Sequence, residues 1–119
     1  MNLAINQSVI AVVFVGIAMP VLDDYVTDTL MRDLVGHDRR PVSFLVYLWL
    51  AANQAKSHGE VRVSYQQVAE SVGVSKSSAQ AAIGWLLKRK LLTQKKQTAT
   101  STPVYTVQSP WREVRTRAR

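Results

Sequence analysis

The 119-residue chain predicts a mainly α domain closed by a small β-hairpin. Three observations lead there. Segments 41–59, 64–73 and 75–90 carry helical apolar patterns with capping residues at their starts and glycine or cations at their ends. The last two meet at Gly73, close enough to form a helix-turn-helix. After the pair "LL", the chain then alternates as strand "LLTQKK", polar loop "QTATST" and strand "PVYTVQS". With 47% apolar residues in 13.3 kDa, there is material for one hydrophobic core.

The elements follow in order. "VIAVVFVGIAMPVL" is apolar over about fourteen residues, short of the roughly twenty that cross a bilayer, and it contains Gly16 and Pro20. No cationic segment precedes it, so a membrane or secretory role is disfavoured. Its β-branched core, "AVVFVGI", predicts a buried strand. "PVLDDYVTDTLMRDLVG" predicts a short helix that begins on Asp23 and Asp24, where acids complement the helix dipole, and stops at Gly36. Pro41 opens an apolar helix closed by Gly59, "EVRVS" alternates as a strand, and Ser64 and Ser75 stand at N-cap positions of the next two helices. The organisation is therefore an N-terminal extension over 1–40, a strand plus a short helix that serves packing or dimerisation, then a domain over 41–108 and a basic tail over 109–119.

Composition excludes several classes. Without cysteine there is no disulfide framework and no thiolate nucleophile, which fits a reducing, cytoplasmic setting. His37 and His58 cannot complete a structural zinc site. No nucleophile, base and orienting group assemble from the sequence, so no enzyme, cofactor or metal is expected. The net charge of +7 is unevenly placed: residues 1–38 carry −4, and residues 39–119 carry +11. A basic second part of this kind points to a polyanionic partner.

The stretch "VSYQQVAESVGVSKSSAQAAIGWLLKRKLL" has the physical marks of two crossed helices. Ala69 offers the small residue that close approach demands, and Gly73 offers backbone freedom in the turn. Ala79, Ala82, Ile83, Leu86 and Leu87 make an inward stripe, leaving Lys76, Ser77, Gln80, Ala81, Gly84 and Lys88 outside.

In this order of elements the chain resembles the winged helix-turn-helix domain of GntR-type and MarR-type regulators and of replication initiators, over roughly residues 41–107. The resemblance implies that 75–90 is a recognition helix in the major groove and that "KKQTATSTP" is the wing on phosphates or the minor groove. The implied DNA contacts are Lys76, Ser77, Ser78, Gln80, Ala81 and Lys88 on the helix, Lys95 and Lys96 on the wing, and Arg112 and Arg115 in the tail, with Arg117 and Arg119 adding non-specific attraction. Two departures stand out. Lys90 occupies the place where these domains usually carry glycine, so the helix is expected to close differently. Ala81 and Gly84 replace the arginines common on such helices, which limits base readout, because alanine offers only a methyl contact to thymine.

The expected function is double-stranded DNA binding, either operator-specific or sequence-tolerant, by a transcriptional regulator or a replication or plasmid-maintenance factor. The alternative is a winged helix that binds protein and not DNA. Plainer roles stand beside these: Lys88, Arg89 and Lys90 neutralise a helix C-terminus, Trp49 belongs to the core, Trp85 packs under the wing, and the histidines are surface residues. For the N-terminal apolar run, folding back as an extra strand and pairing two copies of the chain both remain open.

Overall fold

Pro41 opens the longest helix among the described residues, where its ring fixes φ near the helical value and its missing N–H is not needed in a first turn. In the computed structural model, which describes residues 23–57 and 59–111, this helix, α1, runs over Pro41–Ser57. Its buried positions are Ser43, Phe44, Val46, Tyr47 and Leu50, so one face enters the core while Leu45 points outward.

The expected helix ahead of it is present with wider turns than an α-helix. It consists of two π-helical stretches, Val26–Leu30 and Arg32–His37, and so passes the predicted stop at Gly36 by one residue. Val26, Leu30 and Leu34 recur every fourth position and are all buried. Asp23 caps the start, its Oδ1 accepting the Val26 N–H at 3.2 Å.

Three short helices and strands follow: β1 at Val61–Arg62, α2 at Tyr65–Val72 and α3 at Lys76–Lys88. Then β2 at Leu92–Lys95 and β3 at Val104–Val107 form the expected hairpin. The hairpin is wider than the sequence suggests. β1 pairs with the free edge of β3, Val61 opposite Tyr105, giving an antiparallel sheet of order β1-β3-β2. The molecule is thus mainly helical with a small three-stranded sheet.

One core joins these layers, with Tyr47 and Leu50 of α1, Ile83 and Leu86 of α3, and Leu92 and Tyr105 of the sheet all inaccessible to solvent or nearly so. Polar ends of core side chains are mostly answered. The Tyr47 hydroxyl donates to the Gln108 carbonyl at 3.2 Å, and Ser43 Oγ donates to the Ala82 carbonyl at 3.4 Å, tying α1 to α3. The Tyr105 hydroxyl finds no well-aligned hydrogen-bond partner among the described residues, and burial pushes its pKa above its ordinary value, with the neighbouring Tyr65 hydroxyl adding to the rise. Trp49 is half-buried against the core, as its apolar helix implied. The expected N-terminal strand, His58, and the tail residues Arg112 and Arg115 lie outside the described residues.

Candidate nucleic-acid interface

The site is built on α3, and three local devices aim it. At the start of α2, Ser64 Oγ accepts the Gln67 N–H at 3.1 Å, while Gln67 Oε1 accepts the Ser64 N–H at 2.9 Å. This reciprocal capping box satisfies two donors that a helix start leaves open. α2 ends on Gly73 with φ +91°, in the left-handed region that glycine enters without a side-chain clash. The N–H of Val74 bonds back to the Ala69 carbonyl at 3.0 Å, and Ala69 is buried. Ser75 then caps α3, its Oγ accepting the Ser78 N–H at 3.1 Å.

The two faces of α3 separate as their spacing predicts. Ala79, Ala82, Ile83 and Leu86 are buried, Leu87 and Ser78 are half-buried, and Lys76, Ser77, Gln80, Ala81, Gly84 and Lys88 are exposed. The serines are less free than their exposure suggests. Ser75 Oγ lies 2.9 Å from Ser78 Oγ and 3.2 Å from Ser77 Oγ, so three hydroxyls share one cluster at the helix start. Gly84 has open space where a Cβ would stand, so no contact among the described residues requires it. A glycine inside a helix costs about 1 kcal/mol relative to alanine, and here the result is a flat strip on an exposed face.

The end of α3 corrects one expectation. Lys90 does not change the closure; it adopts the conformation glycine would have, with φ +60°. Its N–H bonds to the Leu87 carbonyl at 3.1 Å, and the Leu91 N–H bonds to the Leu86 carbonyl at 3.0 Å. That pair of bonds is a Schellman ending, and burial of Leu86 and Leu91 supplies the apolar contact that accompanies it.

Trp85 corrects another. Its helix pattern predicts a place under the hairpin, but its Nε1–H donates to Asp38 Oδ2 at 2.9 Å, forty-seven residues away. Asp38 also receives Arg89 Nε at 3.3 Å on the same oxygen and lies 3.0 Å from His37 Nδ1 through the other. Burial alone would raise the Asp38 carboxyl pKa. Hydrogen bonds from His37 and Trp85 and the nearby Arg89 charge outweigh it and hold the group below its ordinary value. The carboxylate, 4% exposed, therefore anchors the last turn of α3 to the turn before α1.

That anchor brings in two cations absent from the sequence-derived site, Arg39 and Arg40. The Arg40 guanidinium sits 4.5 Å from the Trp85 ring centroid, with Lys88 Nζ at 5.3 Å. Both arginines are exposed and border a hollow of about 220 Å³ that also touches Ser78 and Ala81 on α3. The adjacent pair "RR" immediately before Pro41 was the signal available; its position beside α3 depends on contacts no local spacing encodes.

Lys95 and Lys96 belong to a different place. Both are exposed, and they share a hollow of about 580 Å³ with Arg62, Glu60 and Thr102 at the open end of the sheet. The loop beyond them is closed by Ser101, whose Oγ accepts the Thr98 N–H at 3.0 Å and donates to the Thr98 carbonyl at 2.9 Å. Among the described residues, no group of three or more His, Asp and Glu side chains is placed to hold a metal, and no helix is long and apolar enough to cross a membrane. Comparison with protein-family models, curated proteins and solved structures finds no match to this chain.

Proposed function

We propose that the chain is a winged helix-turn-helix protein that binds double-stranded DNA, with α3 as its recognition helix and the β2–β3 hairpin as its wing. The observation that carries this reading is the outer face of α3. It is exposed along its length, holds Lys76, Gln80 and Lys88, and is kept low by Ala81 and Gly84 so that another surface can come close. Gln80 is the neutral side chain on that face able to pair with a base edge, and the lysines suit phosphates. Regulation of transcription and a part in replication or plasmid maintenance fit this chemistry equally.

The test is duplex binding by the full chain as a function of salt. Affinity in the micromolar range or tighter at low salt is expected, with log K falling by about 0.9 per neutralised phosphate against log salt. Affinity that ignores salt, or no binding at all, overturns the proposal and favours a winged helix that engages protein instead.

Two-fold pairing of the chain extends the same reading, since two copies would double the contacts on a palindromic site. Support comes from the exposed apolar side chains Tyr25, Met31 and Val35 on the helix that follows the apolar N-terminal run. Sedimentation of the full chain as a dimer that becomes a monomer on removal of residues 1–22 is the expected result. A monomer at high micromolar concentration removes this extension.

A further inference from the structure

Two cations that border α3 in space, Arg39 and Arg40, are absent from the sequence-derived site. Lys95 and Lys96 share their hollow with residues of β1, β2 and the hairpin, none of them on α3. Arg39 and Arg40 border one whose wall includes Ser78 and Ala81 of the helix itself. We propose that Arg39 and Arg40 form a second phosphate-binding point of the interface, holding the DNA backbone where it passes the exposed face of α3, apart from the contact made by the hairpin. The inference rests on the DNA-binding reading above.

Four features of the turn support it. First, both side chains are exposed, so their charges are available to a partner. Second, the backbone that carries them is fixed. The Asp38 N–H bonds to the Asp33 carbonyl and the Arg40 N–H to the Leu34 carbonyl, each at 2.7 Å, and Arg39 between them is held at φ +56°. A non-glycine residue in that region is disfavoured unless its surroundings impose it. Third, Asp38 does not neutralise the two arginines. Its carboxylate is already taken by Trp85, Arg89 and His37. Fourth, the Trp85 ring lies beneath Arg40 and orients the guanidinium by a cation–π contact without removing its charge or its N–H donors. A planar, always-charged group held in place beside a hollow matches a phosphate oxygen pair, which arginine binds through two parallel N–H donors.

The occupant follows from charge. Arg40 and Lys88 lie over the Trp85 ring and Arg39 borders the adjoining face of α3, and the acid that the ring contacts, Asp38, is already engaged. A polyanion with regularly spaced phosphates, already bound along α3, is the partner that meets all three cations at once.

The experiment measures duplex affinity of the full chain against salt for wild type, Arg39→Asn with Arg40→Gln, Arg40→Gln alone and Arg40→Lys alone. Asparagine tolerates the left-handed backbone, and glutamine keeps most of the stem over Trp85, so charge is removed with little change of shape. The double variant is expected to weaken binding to all duplex sequences alike and to lower the salt slope by about two, one per lost phosphate contact. Arg40→Gln should lower it by about one, and Arg40→Lys should restore it. A wild-type slope in the double variant, or in Arg40→Gln if the double variant does not fold, overturns this inference while leaving the DNA reading intact. Failure of the wild-type chain to bind duplex at all overturns both.

Discussion

The turn before α1 and the tip of the hairpin both carry exposed cations, but they are held in opposite ways. At the turn, the Asp38 side chain is covered and bonded to Trp85 and Arg89, so the position of Arg39 and Arg40 is a product of tertiary packing. At the hairpin, Lys95 is fixed by the backbone ladder through its pairing with Val104, and the loop beyond closes on its own residues, Thr98 bonding to Thr100 and Ser101. The difference separates charge whose placement depends on a distant anchor from charge placed by a local ladder. Breaking the Asp38 anchor should change folding and binding together; removing the hairpin charges should change binding alone.

The largest effect is expected at Asp38. Asp38→Ala leaves the Trp85 Nε1–H without its acceptor and Arg89 without its ion pair in a partly buried site, a loss of about 1–3 kcal/mol in urea unfolding. Because the folded-state pKa of Asp38 lies below its unfolded value, its contribution is complete above about pH 4 and is lost as the pH falls through the lower, folded value. The gap between wild type and Asp38→Ala should therefore narrow in acid. Equal stability of the two proteins at neutral pH would erase the distinction between the regions.

An intermediate effect with opposite signs on folding and binding is expected at Gly84, on the exposed face of α3. With open space around its Cα, Gly84→Ala should raise stability by about 0.5–1 kcal/mol by removing a glycine from a helix interior. If that strip lies against DNA, duplex affinity should fall at the same time. Better folding with unchanged affinity would place the strip outside the contact.

The smallest stability change is expected at the hairpin. Replacing Lys95 and Lys96 together by alanine should leave the unfolding midpoint within about 0.5 kcal/mol of wild type, as for exposed positions generally. The salt slope of DNA binding should drop nevertheless, and by the same amount on every sequence. A large loss of stability would show that the hairpin charges are structural after all.

Legibility in the sequence follows the same division. Ser64, Gly73 and Ser75 mark the ends of α2 and α3 because capping and left-handed turns are decided within four or five residues. The inward stripe of α3 is equally local. What escaped depends on distant partners. β1 was visible as a strand, but its pairing with β3 was not. Trp85 gives no sign in its own helix of the aspartate it binds in another element, and the paired arginines look like an ordinary polar turn until that bond draws them beside α3. Lys90 misled in the other direction: its side chain disfavours the left-handed conformation, yet burial of Leu86 and Leu91 imposes it.

Backbone amide chemical shifts of the full, nitrogen-15-labelled chain, recorded during titration with duplex DNA at low salt, test most directly that α3 is the contacting surface. The largest displacements should fall on Lys76, Ser77, Gln80, Ala81 and Gly84, with smaller ones at Arg39, Arg40, Lys95 and Lys96, and none on the buried face at Ala79, Ile83 and Leu86 beyond that of their neighbours. Displacements confined to the helix before α1, or a spectrum unchanged by duplex, would contradict it.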